Sequence, residues 1–176
     1  MSRAHDKTRR ASPLALVLGL LLASCATTSQ RPAPPSLQPA DAQQTIASLS
    51  ATGVQVYVCK RDQNSQLAWA LKGPQADLYD SSHKLVVKHY AGPTWEATDG
   101  SKITGKVLQQ AANTAEAGSI ALLLLQATST GGPGLLASVR YVQRLKTQGG
   151  AAPAEPCTQE GQESRVPYRA NYVFLG

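Results

Sequence analysis

Cysteine and histidine are scarce in this chain. Only Cys25, Cys59 and Cys157 occur in 176 residues, and no two of them form a Cys-x-x-Cys pair. The usual spacing of a redox dithiol is therefore missing, and two thiolates alone do not complete a zinc site. Of three histidines, His5 lies in a basic amino-terminal segment, which leaves His83 and His89 and excludes a His-rich metal centre. His83 sits in Asp80-Ser81-Ser82-His83-Lys84, which reads as a turn. The chain contains no Gly-x-Ser-x-Gly elbow, phosphate loop or dinucleotide fingerprint. Gly131-Gly132-Pro133-Gly134 is glycine-rich, but Pro133 lacks an amide donor, so the segment reads as a turn between strands. No cofactor is implied. No internal repeat is visible, and no apolar run reaches the roughly 20 residues of a membrane-spanning helix.

What is present begins with an address. Arg3, Lys7, Arg9 and Arg10 form a positive segment, Leu14–Ala23 is apolar, and Leu22-Ala23-Ser24-Cys25 follows. This is a secretory layout, and its end resembles the leader motif of bacterial lipoproteins. The resemblance implies cleavage before Cys25, lipidation of that cysteine, and membrane attachment through its acyl chains. Ala26, where an Asp favours retention at the inner membrane of such proteins, implies the outer membrane and a domain facing the periplasm. An ordinary cleaved signal with a chance cysteine is the alternative. Thr8-Arg9-Arg10 matches a twin-arginine signal poorly, because Ala11-Ser12-Pro13 breaks the apolar continuation.

The leader also carries much of the charge. The chain has 17 basic and 11 acidic residues; four basic and one acidic fall in residues 1–24, leaving 13 against 10, or about +3. Without a clustered basic stripe, nucleic acid is not an expected partner. Residues 25–40 are rich in Thr, Ser, Pro and Gln and read as a disordered tether. Residues 41–52 form a short helical or irregular lead-in, with Asp41 as a helix N-cap. Residues 53–176 are long enough for one domain with its own core.

That domain alternates with a period of two. Val54, Val56 and Val58 alternate with Gln55, Tyr57 and Cys59; Leu67, Trp69 and Leu71 form a second set closed by Gly73-Pro74. Short runs follow at 78–79, 85–90, 95–98 and 103–109, with Asp99-Gly100 as a hairpin turn. Ile120–Leu125 is apolar on both faces, as expected of a strand covered on both sides. Residues 138–145 and 166–174 alternate again. A helix over 111–125 is the rival reading, opposed by Gly118 and the turn at 131–134. The expectation is an all-β, antiparallel sandwich or barrel of about eight or nine strands.

With Cys25 assigned to lipid, Cys59 and Cys157 remain as an even pair in an oxidising compartment, which reads as a disulfide. A redox pair or metal thiolates are the alternatives. The densest polar group is His89-Tyr90-Ala91-Gly92-Pro93-Thr94-Trp95-Glu96, followed by Asp99-Gly100-Ser101-Lys102. Gly92-Pro93 turns the chain, so neighbouring strands place His89 beside Trp95 or Glu96. His89, Tyr90, Trp95, Glu96 and Asp99 are the candidate ligand-binding residues, combining an aromatic platform with polar contacts. The alternative is a hydrolase that uses His89 with Glu96 or Asp99 as an acid–base pair; a purely structural envelope protein without a pocket is a third reading. Arg140 and Arg144 lie on one strand face, read as solvated, with an anion-reading patch as the alternative.

Several of these motifs resemble, in order, those of the secreted family catalogued as domain of unknown function 3455. They are Gly53–Cys59, His89–Glu96 with Asp99-Gly100-Ser101, Tyr141–Arg144 with 147–153 and Cys157, and Val166–Tyr172. Ala117-Gly118-Ser119-Ile120-Ala121-Leu122-Leu123 departs from the Ile-Pro-Trp-Leu-Leu type of segment expected in relatives. The resemblance implies a pocket altered there if that Trp lines one. The expected function is a membrane-tethered module that binds a small molecule or an envelope component without catalysis.

Overall fold

Residues that alternate between apolar and polar with a period of two place one side chain of each pair on each face of a strand. Most of the described chain obeys that rule. A computed structural model describes Met1, residues 33–42 and residues 44–176. The leader, Cys25 and the first part of the tether lie outside the described residues. Eight strands follow in order: β1 (Thr45–Arg61), β2 (Leu67–Tyr79), β3 (Leu85–Tyr90), β4 (Thr94–Ala97), β5 (Lys102–Ala111), β6 (Leu122–Ser129), β7 (Tyr141–Gly149) and β8 (Glu163–Leu175). Each pairs antiparallel with the next, and β8 returns to β1. The result is a closed up-and-down barrel, the second of the two expected architectures. Closure gives every strand a paired neighbour on both sides over at least part of its length.

Four expectations need correction. Residues 45–52, expected in a helical or irregular lead-in, open β1, because Thr45 to Thr52 find ladder partners in Leu175 to Arg169 of β8. Cross-strand pairing outweighs local propensity there. Asp41 is no helix cap; its carboxylate pairs with Arg140. Gly73-Pro74 does not end the second strand. β2 runs through it, with a register shift opposite, between Val56 and Tyr57. β3 pairs with β2 only from Gln75 onward, so the proline lies where β2 has a neighbour on one side only. The tether ends early: Pro35–Leu37 forms a 3-10 turn whose Leu37 is fully buried. Gln143, opposite Leu124, donates its amide to the Leu37 carbonyl at 2.6 Å. The turn therefore lies over the outer face of the sheet from β5 to β7, and Leu124 is buried although it points out of the barrel. This explains the two-sided apolar run.

One end of the barrel is plugged. The β6–β7 connection carries Leu136 and Val139 into the core beside Phe174, Leu78, Val87 and Ile103. The opposite end is stapled by the Cys59–Cys157 disulfide, which ties β1 to the β7–β8 connection across 98 residues. Trp69 Nε1 donates to the Glu155 carbonyl and reinforces the same connection.

Candidate functional site

The segment from His89 to Glu96 forms the β3–β4 hairpin, turned at Gly92-Pro93. Its register sets His89 opposite Trp95 and Lys88 opposite Glu96. Alternation then sends His89 and Trp95 into the barrel and Lys88 and Glu96 out of it. The two rings stack, with centroids 4.4 Å apart and planes 6° from parallel. Tyr172 of β8 meets both rings edge-on, at 5.1 Å and 5.9 Å. Room for the indole comes from Gly105 on β5, where a Cβ would sit 2.8 Å from Trp95 Cζ3.

His89 is neutral at physiological pH. Burial is the main cause of its low pKa, about 4, and the Arg144 charge pushes the same way; a hydrogen bond to Thr94 opposes both. Nδ1 donates to the Thr94 carbonyl at 2.8 Å, which leaves Nε2 as an acceptor. Burial also pushes the Tyr57, Tyr168 and Tyr172 hydroxyls up, so all three stay protonated.

His89, Trp95 and Tyr172 border a cavity of about 430 Å³ in the barrel. That lies within the roughly 300–1,000 Å³ range of small-molecule sites, and an eight-stranded barrel has room inside for one small ligand. Gln55, His89, Trp95, Leu125, Arg144 and Tyr172 line its inner part; Leu71 and Val107 line its mouth and are 58% and 46% exposed. Gln55 and Trp95 are 1% exposed. Among the described residues neither amide atom of Gln55 has a hydrogen-bond partner, and neither does Trp95 Nε1. Such atoms are rare in folded proteins, because leaving one unmade costs about 1–3 kcal/mol.

The other expected residues lie elsewhere. Tyr90 and Glu96 face outward, where the Tyr90 hydroxyl donates to Glu96 Oε2 at 2.6 Å and Lys102 Nζ approaches the same oxygen at 3.1 Å. Tyr90, and then Lys102, hold the Glu96 carboxyl below its usual range. Asp99 anchors the plug at the far end. It accepts from the Ser101 hydroxyl and amide and from the Leu135 amide, while Ser101 Oγ accepts from the Leu136 amide. Ser101 is the largest influence keeping the Asp99 carboxyl low. A Cβ at Gly134 would sit 2.5 Å from Asp99 Oδ2, so the turn read at 131–134 is built around this aspartate. His89 therefore has neither carboxylate as a partner, and the acid–base pair does not form.

Gln55 and Tyr172 join His89 and Trp95 although sequence reasoning did not select them, and Arg144 joins them although anion reading was only the alternative to a solvated face there. Arg144 is not on a solvated face. Opposite Leu123 and Tyr172, it points into the barrel and gives Nε and Nη2 to the Ala121 carbonyl at 3.1 and 2.9 Å. The available signal was its parity with Val142, a core residue two positions earlier. Ala121 and Leu123 line the cavity too.

Fold and site together define a closed eight-stranded up-and-down barrel with a partly polar pocket inside. The chain belongs to the family described as Protein of unknown function (DUF3455), which it matches over residues 39–176, as its motifs implied. Searches of curated proteins and of solved structures find no match to it.

Proposed function

We propose that the barrel binds a small molecule inside its cavity, between Gln55, His89, Trp95, Arg144 and Tyr172. One observation carries this reading: the buried amide of Gln55 and the indole N–H of Trp95 line the cavity without hydrogen-bond partners. A bound molecule that offers both donors and acceptors supplies them. The aromatic walls and the apolar mouth support a ligand with an apolar body. No acid–base pair forms at His89, so the reading is binding rather than catalysis.

We propose further that the domain is tethered by lipid on Cys25 to the outer membrane and faces the periplasm. Support comes from the leader and from a disulfide suited to an oxidising compartment.

Trp95 reports on the binding directly. In a Trp69→Phe background it is the sole tryptophan, and a panel of a few hundred neutral and charged fragments is titrated against its fluorescence. We expect binders that perturb Trp95 and lose at least tenfold in affinity in Gln55→Leu. A panel without effect on Trp95, in a folded protein, overturns the reading.

A further inference from the structure

From the placement of Arg144 beside unpartnered donors in an acid-free cavity, we infer that the ligand is a monoanionic organic carboxylate on an apolar body. This inference rests on the binding reading above and specifies its substrate class.

Among the described residues no Asp or Glu lines the cavity; its charged residues are Lys72 and Arg144. Lys72 is at the rim, paired with Glu163. Arg144 has no carboxylate within ion-pair distance among the described residues. Its two hydrogen bonds to the Ala121 carbonyl hold the guanidinium in place without neutralising it. A partly buried cation without a counter-ion is costly, and a ligand anion removes that cost.

Donor chemistry points the same way. Among the described residues the Gln55 amide nitrogen and Trp95 Nε1 are N–H groups lacking a protein acceptor, and they share the cavity lining with the Arg144 guanidinium. A carboxylate accepts through two oxygens with about four lone-pair sites, enough for these N–H groups, and a water or a hydroxyl on the ligand body supplies the donor for Gln55 Oε1. Charge count selects it over a phosphate monoester. Neutral His89 leaves Arg144 as the one unpaired charge of the lining, which balances a charge of −1. A phosphate with a charge near −2 carries about one uncompensated negative charge into a partly buried site. Trp95, Leu123, Leu125 and Tyr172, with Leu71 and Val107 at the mouth, cover the apolar body.

The test uses matched pairs: benzoate, cinnamate, 2-naphthoate and decanoate, each against its neutral carboxamide, with 2-naphthyl phosphate as the dianion. Binding to the full chain is read by ligand-observed NMR and Trp95 fluorescence. We expect acids to bind at least tenfold more tightly than their amides, and the phosphate more weakly than 2-naphthoate. Arg144→Gln should abolish the acid preference while amide binding persists, and Glu96→Gln on the outer face should change neither. Amides that bind in the cavity as well as the acids overturn the carboxylate assignment and leave the binding reading standing. Absence of binding by every compound and by the broader panel overturns both. The acid-to-amide ratio on the unmodified chain decides the matter even if Arg144→Gln fails to fold.

Discussion

His89 and Trp95 stack face to face across the β3–β4 ladder, 4.4 Å between ring centroids. The stack exists only while His89 is buried, and burial keeps it neutral down to about pH 4. In the unfolded chain the same imidazole takes a proton near its ordinary value of 6.5. Between those values the unfolded state binds more protons, so stability is complete above pH 6.5 and falls as pH falls toward 4. The full difference is about 3 kcal/mol. Urea unfolding between pH 7.5 and 4.5 should show most of that loss, and His89→Phe should flatten it. An unchanged unfolding free energy across the window would contradict the neutral buried imidazole.

Asp99 and Leu136 form one unit, since the aspartate and Ser101 hold the backbone of the plug that carries Leu136 into the core. We expect Leu136→Ala to cost about 2–5 kcal/mol, as for other buried leucines. Asp99→Ala should destabilise in the same direction. The double variant should lose less than the sum, because each change frees the same plug. Strict additivity in a double-mutant cycle would show that Asp99 has no hold on the plug.

The disulfide closes a loop of about 98 residues. Chain entropy gives an upper figure of about 4–5 kcal/mol for such a loop, and removal of native bridges commonly costs about 2–5. The Cys59→Ser/Cys157→Ser double variant should fall in that range by urea unfolding. A loss below about 1 kcal/mol would mean that the connection is held by its hydrogen bonds to Cys59 and Trp69 alone.

Attachment to the membrane is expected to depend on one atom, the sulfur of Cys25. Cys25→Ser should move the protein from the membrane fraction to the soluble periplasmic fraction. Continued sedimentation with membranes would remove the lipid anchor from the account.

The barrel was legible in the sequence because period-two alternation is a local signal. Val166, Tyr168, Ala170, Tyr172 and Phe174 announce their strand without reference to any other. So was the neighbourhood of His89 and Trp95, since a Gly-Pro turn between two short strands fixes which residues meet. What escaped depended on register. Whether Arg144 points in or out is set by its pairing with Leu123 and Tyr172, and a shift of one residue reverses it. Gln55 escaped for a related reason: it sits among valines in a strand that offers apolar residues to both faces. Glu96 and Asp99 drew attention by their chemistry, but alternation sends one outside and a turn commits the other to the plug. The opening of β1 needed β8, well over a hundred residues away in sequence, to override a local helical pattern.

The most direct test of the central claim, that the interior keeps polar atoms unpartnered for a ligand, is the unfolding free energy of Gln55→Leu without ligand. Leucine fills much of the same space and needs no hydrogen bonds. The account expects the variant to be more stable than the natural chain by about 1–3 kcal/mol, the cost of an unsatisfied buried amide. A variant less stable than the natural chain would contradict it, because the amide would then already be satisfied by the fold.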